Sequence, residues 1–382
     1  MELFMFIISL YYLYHLLFLL FSLGLTKPLT GTPAGTGQNR LAVLVPAHNE
    51  ENVIASSVRS ILASRYPGNK FDVYVIADNC TDRTGELARA AGALVLERAN
   101  KELRGKQHAL KWAFEQINLD DYDAVVILDA DNHVHPGFLG VLDHYLVAGH
   151  RVVQGYVETK NPGDSWVTAN YAYMFWYLCR LQMARTRLGL SAWLAGTGLC
   201  ISTDVLRRVG WSVTTLVDDV EYTCQLLLAG ERVAFAPGAV VYDQKPVGLG
   251  DSMKQRLRWV RGQTQVTLRY LPRLAWHVVR CWWRGDFGQA VRSFDGIMWV
   301  PMQLVLLTSF TVSLLMGGLN YLAGVLVSVP VFYLLPLVAE RVRIRRAWTY
   351  LLTAGAFFLS WIPITAYGVM TCDQKSWWRT PH

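Results

Sequence analysis

The chain alternates between two kinds of apolar patterning. In the middle, short apolar runs of strand length alternate with segments of helical spacing. "LAVLVPA" (Leu41 to Ala47), "FDVYVIAD" (Phe71 to Asp78), "ALVLER" (Ala93 to Arg98) and "AVVILDAD" (Ala124 to Asp131) predict four strands. Between them, Glu50 to Ala63, Thr81 to Ala91 and Gly105 to Ile117 carry apolar residues at helical intervals. Strands alternating with helices of this length imply an α/β domain whose parallel sheet is covered on both faces. In such sheets ligands bind at the carboxyl ends of the strands. The polar clusters fall there: "PAHNEE" after the first strand, "DNCTD" after the second, "ERAN" after the third and "DADN" after the fourth.

At the ends the pattern changes to long uncharged runs. No side chain from Leu3 to Thr26 carries a formal charge, His15 aside. Gly296 to Ala339 and Ala347 to Cys372 are also uncharged, runs of 44 and 26 residues. About 20 apolar residues suffice to cross a bilayer as a helix. These runs predict a membrane helix at 1–26 and a membrane region at 296–371 around a water-exposed middle. The first run follows Met-Glu and lacks a basic start, so it reads as an anchor rather than a cleaved signal. "GGLN" (Gly317 to Asn320) splits the long run into spans of about 297–316 and 321–338. The last run holds Pro363, where a break is expected. The Gly/Thr/Pro-rich stretch 27–40 reads as a linker, 41–245 as the α/β domain and 372–382 as a tail. The first cations after the N-terminal run are Lys27 and Arg40. That bias places the N-terminus outside and the middle in the cytoplasm of a multi-pass plasma-membrane protein.

Composition and charge sharpen this picture. The chain has 382 residues, is 52% hydrophobic and carries a net charge of +7. Nine Lys and Arg but one acid lie between Lys245 and Arg284. Beside a membrane segment, that surplus points to an anionic lipid surface rather than to nucleic acid. Residues 246–295 therefore read as amphipathic helices on the bilayer surface, with Arg256, Arg261 and Arg269 as anchors. The six cysteines are scattered, without metal or redox spacing. No Gly-x-Gly-x-x-Gly follows the first strand and no Gly-Lys-Ser/Thr loop occurs, which disfavours dinucleotide and P-loop folds.

Two acids stand out. Asp129 and Asp131 lie one residue apart at a strand end, where a hard divalent cation can bridge such carboxylates to phosphates. Asp218 and Asp219 form a second pair, and Gln255 and Trp259 share a helix face with Arg258 beside it.

Taken in order, "VPAHNEE", "ADNCTD", "RGKQHALKWAFE", "DADN", "GTGLCIS", "LVDDVE" and "QRLRW" resemble the motifs of the family 2 inverting membrane glycosyltransferases. These include the processive hyaluronan, cellulose and poly-N-acetylglucosamine synthases. The resemblance implies a GT-A, Rossmann-like α/β domain flanked by membrane and interfacial helices. By it, Pro46, Ala47, Glu50, Asp78 and Asp82 would hold the uridine end of a UDP-sugar. Lys106 would lie near the nucleotide, and Asp129 and Asp131 would bind the diphosphate through Mg²⁺ or Mn²⁺. Asp219 would be the catalytic base; Asp218 stands where the family often has Glu, and that departure leaves the choice between Asp219 and Asp218 open. Gly196, Thr197 and Gly198 would lie beside the acceptor. Gln255, Arg258 and Trp259 would serve the donor, with Trp259 also a platform for a sugar ring. The tail "WWRTPH" resembles a segment that covers the donor site in related synthases, which fits if the last apolar run turns back or a further span restores the parity; otherwise the tail resemblance is chance.

The expected reaction is transfer to a growing polysaccharide or a lipid-linked acceptor, with a second copy or accessory subunit as partner because few helices leave little room for a tunnel. Single transfer to a membrane lipid, as by ceramide glucosyltransferases, is the alternative within the class. A non-catalytic nucleotide-sugar-binding membrane protein is the alternative outside it. The presence of Asp131 together with Asp219 argues against the latter.

Overall fold

The computed structural model describes residues 2–25 and 37–374. It begins with α1 (Glu2–Leu23) and continues into an alternating unit of β1 (Leu41–Ala47), α2 (Ile54–Leu62), β2 (Phe71–Asp78), α3 (Thr84–Ala90), β3 (Leu94–Arg98), α4 (Lys106–Gln116) and β4 (Ala124–Ile127). There follow β5 (His133–Val134), α5 (Phe138–Val147), β6 (Val152–Thr159), α6 (Trp166–Arg187), β7 (Leu199–Ser202), α7 (Thr203–Val209), α8 (Asp218–Leu228) and β8 (Val233–Asp243). The chain ends in helices: α9 (Leu249–Trp283), α10 (Phe287–Trp299), α11 (Met302–Ala339), α12 (Arg345–Thr349), α13 (Ala354–Leu359) and α14 (Trp361–Met370).

The eight strands form one sheet in the order β3-β2-β1-β4-β7-β6-β8-β5. The first four are parallel, as the alternation predicts. The other half is mixed, because β7 runs antiparallel to both β4 and β6, and β5 antiparallel to β8. Alternation along β1 divides its side chains between two cores. Leu41, Val43 and Val45 pack with Ile54, Val58 and Ile61 of α2. Ala42 and Leu44 face the other core, with Leu110 of α4 and Trp176 of α6.

Element boundaries depart from the pattern where the chain turns into the ligand end. The helix expected from Glu50 begins at Ile54, because Asn49 sits at φ 57° and Glu50 to Val53 form a turn. The helix expected from Thr81 begins at Thr84. The fourth strand stops at Ile127, two residues before Asp129.

Among the described residues, three stretches are long and apolar enough to cross a membrane: Met302–Asn320, Leu322–Ala339 and Arg345–Met370. The first two belong to α11, which is kinked at Gly318 (φ 53°) within the expected "GGLN" break. The third is not one helix. A 3-10 turn at Tyr350–Thr353 and a second break at Ser360 interrupt it. Pro363 lies in the first turn of α14, just after the break at Ser360, and its missing N–H removes the bond to Leu359 that would join α13 to α14. Its end returns to α9: Arg261 donates to Thr371 Oγ1 at 3.0 Å and to Gln374 Oε1 at 2.7 Å. The "WWRTPH" segment lies outside the described residues, as does most of the expected linker.

The basic segment differs from expectation. Arg256 and Arg261 are buried rather than on a surface. Arg256 lies between Phe357 and Trp361, 4.4 and 5.1 Å from their ring centroids, and donates to Ser360 Oγ at 2.8 Å. Arg269 donates to the buried Glu221 at 2.9 Å. The outward face belongs to aromatic residues further on: Trp276, Trp282, Trp283 and Phe287 are exposed.

Candidate active site

The carboxyl ends of β1, β2 and β4 open into a cavity of about 1480 Å³. Pro46, Ala47, Glu50, Asp78, Lys106, Asp129, Asp131, Gly196, Thr197, Asp218, Asp219, Gln255, Arg258 and Trp259 all line it. Residues from Pro46 to Trp259 therefore meet around one space.

Asp129 and Asp131 lie in the turn after β4. The Asp129 N–H donates to Thr197 Oγ1 at 3.1 Å, and the Thr197 hydroxyl in turn donates to Asn132 Oδ1. Asn132 Nδ2 reaches both Asp131 Oδ1 (3.0 Å) and Asp243 Oδ1 (2.9 Å). Asp131 is buried, and burial, with Asp243, Asp129 and Glu50 around it, raises its proton affinity well above that of an ordinary carboxyl group. Such an anionic pocket suits a divalent cation. Among the described residues no three His, Cys, Asp or Glu converge as a complete cage. Donor phosphates would have to supply the remaining oxygens, which is the usual mode for Mg²⁺.

Lys106 links the two halves of the site. Its Nζ donates to Asp129 Oδ1 at 2.5 Å and to the Gly196 carbonyl at 2.6 Å. Burial opposes its charge, but Asp129, Asp218 and Asp219 outweigh that and raise its pKa. Gly196 (φ 76°) and Gly198 (φ 66°) bracket Thr197 in conformations that suit glycine. A Cβ on Gly196 would lie 3.5 Å from Asp219 Oδ2, and one on Gly198 would meet Val241 at 2.7 Å.

Asp218 and Asp219 begin α8, and the Val220 N–H donates to Asp219 Oδ1 at 2.8 Å. Burial and the neighbouring Asp218 push the Asp219 carboxyl up to about 7, against the pull of Lys106 and Arg258. A carboxylate poised near neutrality can accept a proton from a hydroxyl. Of the two acids, Asp219 is the one that a Cβ on Gly196 would meet.

Arg258 donates to the Leu216 carbonyl at 3.3 Å, beside this acidic pair. Trp259 stacks on Trp361 (centroids 6.4 Å, 24°) and meets the edge of Tyr171 at 5.9 Å. Gln255, one turn before it, also faces the cavity.

Two expected donor residues are already engaged. Asp78 forms a buried ion pair with Arg98 at 2.5 Å. Asp82 does not line the cavity. It accepts from Thr84 N (3.0 Å) and Oγ1 (2.5 Å) and from Glu51 N (3.2 Å) at the start of α3. Burial works against its charge, but those hydrogen bonds outweigh it and lower its pKa.

Sequence reading missed Arg98, Glu221, Asp243 and Lys245. Lys245 is buried, pairs with Asp243 and stands 3.5 Å over the Phe175 ring. Glu221 accepts from the Thr214 and Thr215 N–H groups at 2.8 and 2.7 Å, which fixes the loop leading into Asp218. The "YDQKP" spacing offers no signal for the first pair. An acid one turn after Asp218 is a weak signal for Glu221.

A sheet that gathers acids at its strand ends, with an acidic pair on a later helix, is the architecture of GT-A glycosyltransferases. Residues 38–262 match the model of the glycosyltransferase-like family 2, and the chain belongs to that family. It is 28% identical over 248 residues to a probable glycosyltransferase, YdaM, of Bacillus subtilis, covering 61% of this chain and 57% of that protein. It is 30% identical to a beta-monoglucosyldiacylglycerol synthase of Nostoc, covering 60% and 50%. It is 26% identical to the poly-beta-1,6-N-acetyl-D-glucosamine synthase of Staphylococcus aureus, covering 60% and 56%. The matched region thus spans only half to three-fifths of these relatives. Mannosyltransferase PcManGT from Pyrobaculum calidifontis, solved with GDP-Man and Mn²⁺, superposes with a TM-score of 0.60 at 18% identity, covering 98% of this chain and 99% of that one. That likeness is one of fold.

Proposed function

We propose that the chain is a membrane-embedded inverting glycosyltransferase that moves a sugar from a UDP-sugar to a polysaccharide or lipid-linked acceptor. The observation that carries this reading is the Lys106 bridge. It joins Asp129, of the Asp-x-Asp turn, to the Gly196 carbonyl, whose residue faces Asp219. A diphosphate at the first aspartates thereby has its sugar within reach of the second acid.

In this reading Asp219 takes the proton of the acceptor hydroxyl. The hydroxyl oxygen forms a bond to the anomeric carbon as the bond from that carbon to the diphosphate oxygen breaks. The nucleoside diphosphate leaves with the electron pair. One base and one displacement invert the anomeric centre, and no second carboxylate nucleophile is required. Asp129 and Asp131 would hold Mg²⁺ or Mn²⁺, which supplies neutralisation of the leaving diphosphate. Lys106 and Arg258 add positive charge at that end. Pro46, Ala47, Glu50 and Asp78 wall the nucleotide end, with Asp78 oriented by Arg98. Asp82 would act only through the turn it braces. Gly196, Thr197, Gly198 and Trp259 border the acceptor, and Gln255 the donor.

The α/β domain (41–245) would face the cytoplasm beneath the membrane region, with 246–295 against the bilayer through Trp276, Trp282 and Trp283. The return of Thr371 and Gln374 to α9 supports a last segment that turns back on the catalytic side. UDP release by detergent-purified chain from a panel of UDP-sugars, with and without EDTA, tests the reading. Metal-dependent release from one donor is expected. No release from any donor would favour a protein that binds nucleotide-sugars without catalysis.

A further inference from the structure

Lys245 takes no part in the transfer step, yet it lines the same cavity. It is buried two residues past the end of β8, and its Nζ pairs with Asp243 Oδ2. The backbone around it is pinned. The Lys245 N–H donates to Asn161 Oδ1 at 3.0 Å, and Asn161 Nδ2 donates to the Lys245 carbonyl at 3.0 Å. The ammonium stands 3.5 Å from the ring centroid of Phe175 and 5.9 Å from that of Tyr171. A positive charge is thereby fixed beside Asp243.

The pair is joined to the Asp-x-Asp turn. Asp243 turns Oδ2 to Lys245 and Oδ1 to Asn132, whose Nδ2 donates to it at 2.9 Å and to Asp131 Oδ1 at 3.0 Å. Asp129 and Asp243 thus flank Asp131, and each has its own lysine: Lys106 on Asp129 and Lys245 on Asp243. Among the described residues no three acids converge as a metal cage, so Asp243 acts on that site by charge rather than as a completed ligand set. Stability does not account for the lysine. The aromatic rings around it would pack an apolar side chain of similar length, and a buried ion pair adds little net stability over such a residue. What the ammonium does change is the field at Asp131, because charges close together in a poorly hydrated site interact strongly.

We infer that Lys245 is a built-in counter-cation of the Asp-x-Asp site, which keeps a divalent ion from binding until a diphosphate supplies further negative charge. This rests on the reading of Asp129 and Asp131 as the cation-binding pair. Two of the three aspartate charges are offset by lysines, so a strongly hydrated ion gains too little by entering alone. A nucleoside diphosphate brings both oxygens and charge. Ion and nucleotide then bind together and leave together, and the site is not occupied by metal between turnovers. Lys106 is shared with the Gly196 carbonyl and the loop beside Asp219, whereas Lys245 has only the charge balance of this turn to serve.

Isothermal titration of Mn²⁺ into the full chain in mild detergent, with and without UDP and corrected for Mn²⁺ binding to UDP alone, tests this apart from activity. The unaltered chain should take up Mn²⁺ only with UDP. Lys245→Met removes the charge and keeps bulk among the aromatic rings. It should bind Mn²⁺ without UDP, and with UDP about fivefold or more tighter than the unaltered chain. A disturbed site loses affinity, so a gain separates the charge effect from a structural one. Unchanged or weaker Mn²⁺ binding in Lys245→Met that still shows a cooperative melting transition overturns the inference and leaves the cation reading intact. So does Mn²⁺ uptake by the unaltered chain without UDP. If Lys245→Met does not fold, Asp243→Asn is the second probe. It leaves the lysine charge unopposed and should weaken Mn²⁺ binding with UDP by about fivefold or more, and unchanged binding overturns the inference. No Mn²⁺ binding to the unaltered chain even with UDP overturns both the inference and the cation reading.

Discussion

At the scale of single residues, the acids differ in what surrounds them, and their tasks follow. Asp131 is enclosed by other carboxylates and suits a cation, whereas Asp219 faces Gly196 with Lys106 and Arg258 nearby. Asp219→Asn keeps the shape but cannot take a proton. Turnover should fall by about 10²–10⁴-fold while UDP binding is retained, as read by steady-state rates beside a UDP titration. Near-normal turnover would remove Asp219 from its role. Its raised pKa also has a pH consequence. A base acts only when deprotonated, and the group is held up to about 7, so kcat/KM should rise about tenfold per pH unit below that value and level off above it. A profile flat from pH 5.5 to 8.5 would contradict that assignment.

At the scale of elements, the site depends on α9 pressing against the loop before α8. A Cβ on Gly262 would meet Val217 N at 2.9 Å and its Cγ1 at 2.7 Å. Gly262→Val should push α9 off that loop, lower the melting temperature by an overpacking cost of about 1–3 kcal/mol, and reduce turnover, although Gly262 lies outside the cavity lining. Unchanged melting and rate would mean the contact is soft. The element scale also shows how much the sequence disclosed. Strand ends carry short-range signals, so Asp78, Asp129 and Asp131 could be placed at the ligand end from their neighbours alone. Gln255, Arg258 and Trp259 were legible through helical spacing. What escaped depends on long-range convergence. Asp243 and Lys245 matter because β8 ends beside Asn132, and Arg98 because β3 ends beside Asp78. Arg256 and Arg261 looked like surface anchors because charge predicts exposure on average. Here α13 and α14 fold back and cover them with Phe357, Trp361 and Tyr367.

At the scale of the whole molecule, α6 ties the sheet to the flanking helices. Arg180 on α6 donates to the Leu25 carbonyl at 2.8 Å and the Ala339 carbonyl at 2.7 Å, and pairs with Glu340, which also accepts from Tyr156 of β6 at 2.9 Å. Arg180→Met would leave Glu340 buried without its main counter-ion. A loss of about 3–5 kcal/mol is expected, read as lower thermal stability of the detergent-purified chain. A loss under about 1 kcal/mol would show that water already reaches the pair. The larger claim is that residues more than eighty positions apart serve one cation-bridged diphosphate. Electron paramagnetic resonance of Mn²⁺ titrated into the full chain with UDP measures this most directly. A bound Mn²⁺ signal is expected that requires UDP, is lost in Asp131→Asn and persists in the transfer-dead Asp219→Asn. A signal unchanged by Asp131→Asn would contradict it.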